Sequence, residues 1–408
     1  MKHFLISISI LLLFGACHKK EDDPQPSKGR RTVIVYMSGD NTLSGFTSGD
    51  LQEMVNGAAN TLSSSDRLVV FVDRISTQEK PFIARITGDS KQPVDTLYKY
   101  SEDFYASEPS NFVEVLKRAI SLCPASEYGL VLWSHASGWN IEKDTRRAFG
   151  VDNGNVSANG NKGLWLNMPD MRTSFEQLGM KWKFIFTDCC NMMCVEVAYE
   201  LRNWADYLIG SPAEIPGYGA PYSKMVKDLF SQSDTFYESI IDTYAAAYPD
   251  YLPLAAMRLS EMESLASATK AVLPAIAEHL KQGDDVATKN IIYYFSPGGH
   301  YDDVNKSMYD MNDMIRTALD EQPEAYDTWH QAFQKAVVKR VTAPMWETNA
   351  TNTVYFSDFT VTDAKMGCVS MFFPLDKYTN SSCLYTYNTD IQKMQWYQAV
   401  GWSSVFNN

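Results

Sequence analysis

Two residues in this chain have the types and spacing of a nucleophile and its base. Residues 183–187 (KFIFT) read as a strand that breaks at Asp188-Cys189-Cys190, and a helix-like pattern resumes at Val195, Val197, Ala198 and Leu201. In open α/β sheets, ligands sit outside the carboxyl ends of strands, and a following helix N-terminus is expected to lower a thiol's pKa. About 55 residues earlier, the apolar run 128–133 (YGLVLW) leads into Ser134-His135-Ala136-Ser137-Gly138-Trp139. An imidazole can take a thiol proton and return it to a leaving amine while the thiolate attacks a carbonyl. Two successive strand ends would bring His135 and Cys190 to one rim. Taken singly, each motif also fits a core, since free cysteine is among the most buried residue types.

The elements that must hold these residues are legible as alternating patterns. Segments 32–37, 68–72, 128–133, 183–187 and 207–210 are short apolar runs of the kind buried on both faces of a sheet. Segment 82–86 alternates and suits an edge strand. Helical periodicity runs through 43–61 and 111–122, the latter with Ser110 or Asn111 as its cap. Strands alternating with helices define an α/β class with a mostly parallel sheet covered on both sides. Segment 140–163 is polar and rich in Gly and Asn, which makes it an exposed loop or hairpin open to proteolysis. Beyond about residue 225 the pattern turns helical (235–247, 259–280). A late strand follows at 367–374, and the aromatic end 396–406 is expected to pack back on the body.

The chain has 408 residues, 45% hydrophobic and 21% charged, with a formal net charge of −13. That charge argues against nucleic acid or anionic lipid as partners, because neither polyanion would gain from counterion release. Lys2 and His3 precede an apolar run at 4–14, too short to span a bilayer, which ends in Gly15-Ala16-Cys17. This resembles a bacterial lipoprotein signal, implying cleavage before Cys17, a lipid on its sulfur, and attachment to a membrane through that lipid alone. The expected location is extracytoplasmic, at the bacterial outer membrane and exposed on its surface. Residues 17–30 are polar with two prolines and read as a flexible tether. The division expected is thus 1–16 signal, 17–30 tether, 31–225 catalytic core and 226–408 a smaller helical and mixed C-terminal part. The six cysteines beyond Cys17 show no staple framework, and free thiols are expected.

WSHASGW at 133–139 and FTDCCNMMCVEVAYEL at 186–201 together resemble the clostripain family of cysteine peptidases, of the caspase-like clan. VIVYMSGDNTLS at 33–44, GSPAEIPGYGAPY at 210–222 and VSMFFP at 369–374 extend the resemblance over about residues 31–400. It implies a caspase-like α/β/α sandwich and a lipid-anchored cysteine endopeptidase acting on peptides or proteins. On the family's motifs the base falls on His135 and the nucleophile on Cys190, Cys189 taking the place of an alanine. The oxyanion hole would use backbone N–H groups near Cys190 and just after His135. Asp188 would border the pocket for the residue before the scissile bond and select Arg or Lys by a charge-assisted pair. The sequence departs from the family at Ala136, Asn191, Met193, Tyr218 and Ala220. With Tyr218 standing where basic-specific relatives carry an acid, Glu214 is the candidate substitute. These departures also leave open a catalytically inactive lipid-anchored binding protein with the same fold. Relatives mature by cleavage between His and Cys, which makes Arg146, Arg147 and Lys162 candidate processing sites. No cofactor is expected. Some relatives use calcium, but neither Asp152 nor the pairs Asp302/Asp303 and Asp310/Asp313 have the spacing of a known loop.

Overall fold

The computed structural model describes residues 27–59, 61–75, 79–140, 148–154, 163–296, 306–349, 352–359, 363–379 and 387–406. Cys17, Arg146, Arg147, Lys162, Asp302 and Asp303 lie outside them.

The chain opens with the long strands β1 (Gly29–Gly39) and β2 (Asp66–Arg74), followed by the antiparallel arms β3 (Phe82–Ile86) and β4 (Val94–Lys99). Next come β5 (Ala125–Trp133), a hairpin of β6 (Phe149–Asp152) and β7 (Leu164–Leu166), and then β8 (Phe184–Asp188), β9 (Tyr207–Gly210) and β10 (Leu254–Arg258). A small sheet takes β11 (Tyr293–Phe295) and β12 (Ser307–Asp310). After β13 (Val337–Val341) comes the hairpin β14 (Met345–Asn349) and β15 (Asn352–Tyr355), and β16 (Ser370–Met371) completes the small sheet.

The central sheet has the order β13-β10-β9-β8-β5-β1-β2-β3-β4. Its five middle strands, β9 to β2, are parallel, and both edges are antiparallel. The sheet therefore crosses residue 225: β10 and β13, from the C-terminal part, extend the same sheet that carries the site.

Side chains alternate across this sheet with the period of two that strands impose. Ile34, Tyr36, Leu130, Leu132 and Ile185 enter one core with the helices α2 (Pro109–Leu122), α3 (Met168–Leu178), α4 (Val195–Leu201) and α7 (Met262–Leu280). Val33, Val35, Met37, Val131, Phe184 and Phe186 enter the other, with α1 (Thr47–Ala58), α5 (Tyr222–Leu229) and α6 (Phe236–Ala247). Each such aliphatic side chain contributes roughly 1.5–3 kcal/mol relative to exposure. The result is an α/β/α sandwich in which β1, β5 and β8 are fixed from both faces, so their carboxyl ends form a rigid rim.

Three local expectations differ from what forms. Helix α2 is capped at Glu108, with Pro109 in its first turn, because proline's fixed φ suits that position. The late strand shortens to Ser370–Met371. The segment expected to be an exposed loop or hairpin does contribute β6 to the hairpin with β7, but the four residues of β6 are all buried. Among the described residues Cys123, Cys189, Cys190, Cys194 and Cys368 are free thiols.

Candidate active site

Strands β5 and β8 are adjacent and parallel, with Trp133 opposite Asp188 at their carboxyl ends. His135 lies two residues beyond the first and Cys190 two beyond the second. Both are half-buried, and both line one cavity of about 390 Å³. Alternation separates the two neighbouring thiols: Cys189 is fully buried in the core with α4, while Cys190 opens on the cavity.

His135 is held by residues that the sequence reading did not single out. Asn41, fully buried, donates through Nδ2 to Ser38 O, Ser134 Oγ and Val151 O, while its Oδ1 accepts from Leu43 N. One amide thus ties together the ends of β1, β5 and β6. It places Thr42, whose Oγ1 lies 2.7 Å from His135 Nε2. That contact leaves Nδ1 as the ring nitrogen for a thiol proton. The polar break after the first strand was the available signal for Asn41 and Thr42.

The turn after His135 does not require a left-handed backbone at Ala136. Gly150 N donates to His135 O and Ser137 N to Ala148 O. These bonds bracket Ala136 opposite Phe149, so the Ala136 N–H points away from β6. The left-handed conformation that only glycine adopts readily falls instead on Gly138, φ +64°. A Cβ there would meet Asn191 O at 2.6 Å.

After Cys190 the chain turns through Asn191 in the left-handed region, φ 59°, a conformation asparagine tolerates better than most residues. Asn191 Nδ2 donates to Pro212 O and Tyr294 O, and its backbone N–H to Ala213 O. Met193 O accepts from Ser370 N, which fastens the segment to β16. Helix α4 starts only at Val195 and spans seven residues. The thiol is not lowered, as the helix expectation had it. Burial pushes it up, the negative charge of Glu214 adds to this, and donation from Ile215 N only partly opposes it. Burial likewise lowers His135 to about 4. Both groups are therefore neutral near pH 7.

Asp188 sits beneath the loop 216–220. Its Oδ2 accepts from Tyr222 OH (2.7 Å) and Ala220 N (3.1 Å), and its Oδ1 from Tyr244 OH (3.0 Å). Burial pushes its pKa up against these donors. Gly219, φ +61°, allows the loop this close, since a Cβ would lie 2.8 Å from Asp188 Oδ2. Asp188 and Glu214 both line the cavity. Tyr218 does not: it is 75% exposed and packs edge-on against Phe46, 5.4 Å between centroids. A third carboxylate, Glu347 of β14, lines the cavity and was not foreseen. Nothing in the sequence marks it, because the hairpin reaches the site only through the fold.

Among the described residues no group of three or more His, Cys, Asp or Glu side chains is placed to hold a metal ion. Asp152 is engaged by Ala106 N and Gly154 N, and Asp310 by Tyr294 OH, Gly367 N and Cys368 N.

A sandwich of this form, with a thiol and an imidazole at adjacent strand ends, defines a caspase-like hydrolase. A model of the clostripain family matches residues 35–408, and the chain belongs to that family; it is a cysteine-type peptidase. The chain is similar to a secreted C11 cysteine protease of Bacteroides thetaiotaomicron solved with an irreversible peptide inhibitor, at 29% identity and TM-score 0.74, over 92% of this chain and 100% of that one. An inactive zymogen C11 protease of Parabacteroides distasonis shares the fold at 22% identity and TM-score 0.72, over 92% of this chain and 99% of that one. No curated protein matches the chain.

Proposed function

We propose that this chain is a lipid-anchored, extracytoplasmic cysteine endopeptidase that cleaves after Lys or Arg, with Cys190 as nucleophile and His135 as acid–base. The observation that carries this reading is the shared cavity, which brings His135 and Cys190 together with Asp188, Glu214 and Glu347. The peptide inhibitor bound by the Bacteroides relative supports a peptide as substrate.

The neutral pair dictates the mechanism. Cys190 Sγ attacks the scissile carbonyl as its proton moves to His135. Charge separation thus occurs during attack rather than before it. The developing oxyanion is met by backbone N–H groups, with Ala136 N and Cys190 N as the candidates. His135 then protonates the leaving amine, and the acyl-enzyme is hydrolysed by a water that His135 deprotonates. Asp188, which lines the same cavity, is the proposed receiver of the cation of the residue before the scissile bond.

The test uses fluorogenic peptides carrying Lys, Arg or norleucine before the bond, after reduction, with Cys190→Ala beside the wild-type chain. Cleavage after Lys and Arg, lost in Cys190→Ala, is expected. No cleavage across a broad peptide library, together with no labelling by a thiol-reactive peptide, would overturn the reading. The anchor rests on the sequence before residue 17: Cys17→Ser should move the protein from the membrane to the soluble fraction. Among the described residues no helix is long and apolar enough to cross a membrane.

A further inference from the structure

We propose that Glu214 and Glu347 form a second cation-binding subsite beside the nucleophile, separate from Asp188, which takes the ammonium or guanidinium of another substrate side chain. The inference rests on the peptide-site reading above and adds a second position of recognition to it.

The geometry begins with an isolated antiparallel bridge between these two glutamates, in which Glu214 N donates to Glu347 O at 3.1 Å. Residues directly opposed in such a pair project to the same face, with Cβ atoms roughly 4.5–5.5 Å apart, and like charges so placed destabilise the pair. Here both carboxylates line the cavity that holds Cys190. Neither has a cationic partner among the described residues, although the Tyr251 hydroxyl hydrogen-bonds Glu347. Such an arrangement is unfavourable when empty and is relieved by a cation between the two groups.

A neighbour adds an acceptor. Asn191 lines the same cavity and is 1% exposed; its Nδ2 is spent on two carbonyls, and its buried Oδ1 accepts no bond among the described residues. An ammonium brings three N–H donors and a guanidinium five, more than two carboxylates need.

The subsite is distinct from Asp188. Asp188 is already met by three donors beneath the 216–220 loop. Burial and the charge of the neighbouring Glu347 raise Glu214 to about 7. Both Glu214 and Asp188 raise the Cys190 thiol. Because Glu214 ionises near neutrality, the subsite gains charge and strength as pH rises through about 7.

The experiment uses the full chain and peptides with Lys fixed before the scissile bond, while a second Lys or its neutral counterpart norleucine is moved through the other positions. At one position the Lys/norleucine ratio of kcat/KM is expected to reach about tenfold in the wild type, larger at pH 8 than at pH 6. The ratio should fall toward one in Glu347→Gln and in Glu214→Gln. A ratio unchanged in both variants overturns the proposal. So does a loss of selectivity confined to the residue before the scissile bond, read in a companion set with Lys or norleucine at that residue. If no peptide is cleaved, the same ratio is read as Kd by calorimetry on Cys190→Ala and Cys190→Ala/Glu347→Gln. A Glu347-dependent preference there upholds the subsite while the cleavage reading fails, and no preference removes the subsite.

Discussion

Thr42 acts on one end of the proton path and Glu214 on the other. The Thr42 contact fixes one nitrogen of His135, so Thr42→Val should lower kcat about tenfold with little change in KM, and Thr42→Ser should restore most of it. Steady-state kinetics on a Lys peptide decides this; a change confined to KM would contradict it. His135 must be neutral to accept the thiol proton, and burial lowers it to about 4. Activity should therefore persist through pH 5–6 and fall only as pH drops through about 4, as a pH–rate profile would show. Glu214 acts on the sulfur. Its charge raises the thiol's pKa, so Glu214→Gln should speed iodoacetamide alkylation of Cys190 above pH 7, where Glu214 is ionised. Peptide mapping separates this from the buried Cys189. Sequence could name His135 and Cys190 because a base and a nucleophile at strand ends leave a local mark. Thr42 leaves none beyond a polar turn, since any hydroxyl residue there reads as a loop.

The loop over Asp188 and the hairpin after Trp139 carry their own consequences. Gly219→Ala would place a methyl group against Asp188 Oδ2 and force alanine to a positive φ. That conformation costs roughly 1–2 kcal/mol, so the midpoint of thermal unfolding should drop measurably while selectivity for Lys over norleucine also falls. The processing expected from the resemblance to relatives can be tested directly. If Arg146, Arg147 or Lys162 is cut in cis, purified wild-type protein runs as two fragments and Cys190→Ala as one. A single band from both removes the idea. The parallel strands were readable because TVIVYM and YGLVLW are continuous, β-branched and apolar. β10 and β13 were not. LAAMR and VVKRV are short, and the latter is polar along an edge, so only pairing in the folded sheet identifies them. Likewise, the unusual Asn191 and Ala136 make sense only against backbone angles: the first occupies a left-handed turn, and the second lies beside the glycine that takes one.

Across the whole molecule, buried carboxylates dominate the response to pH. Burial raises Asp50 and Glu196 to about 8, and Asp152, Asp310 and Glu214 to about 7. Each such group binds more protons folded than unfolded between about pH 4 and its raised value. It therefore contributes stability that is full below the unfolded pKa and is lost as pH rises through the folded one. His135 has the opposite sign: lowered to about 4, it makes the unfolded state the better proton acceptor between about pH 4 and 6.5, so it destabilises as pH falls there. Above 6.5 the carboxylates act, joined near pH 8.5 by the buried thiols, which burial raises and which therefore act in the same direction. The unfolding midpoint at pH 6 should exceed that at pH 8.5, and calorimetry showing the reverse would refute this account. The bridge from Glu214 to Glu347 also has a temporal side. A chain synthesised N-terminus first possesses its nucleophile and base long before the β14–β15 hairpin arrives. Until that hairpin docks, the cavity lacks one wall, and until Ser370 ties down Met193, the turn after Cys190 lacks an anchor. The site is thus complete only when segments from the last sixth of the chain, those carrying Glu347 and Ser370, have folded back onto its core.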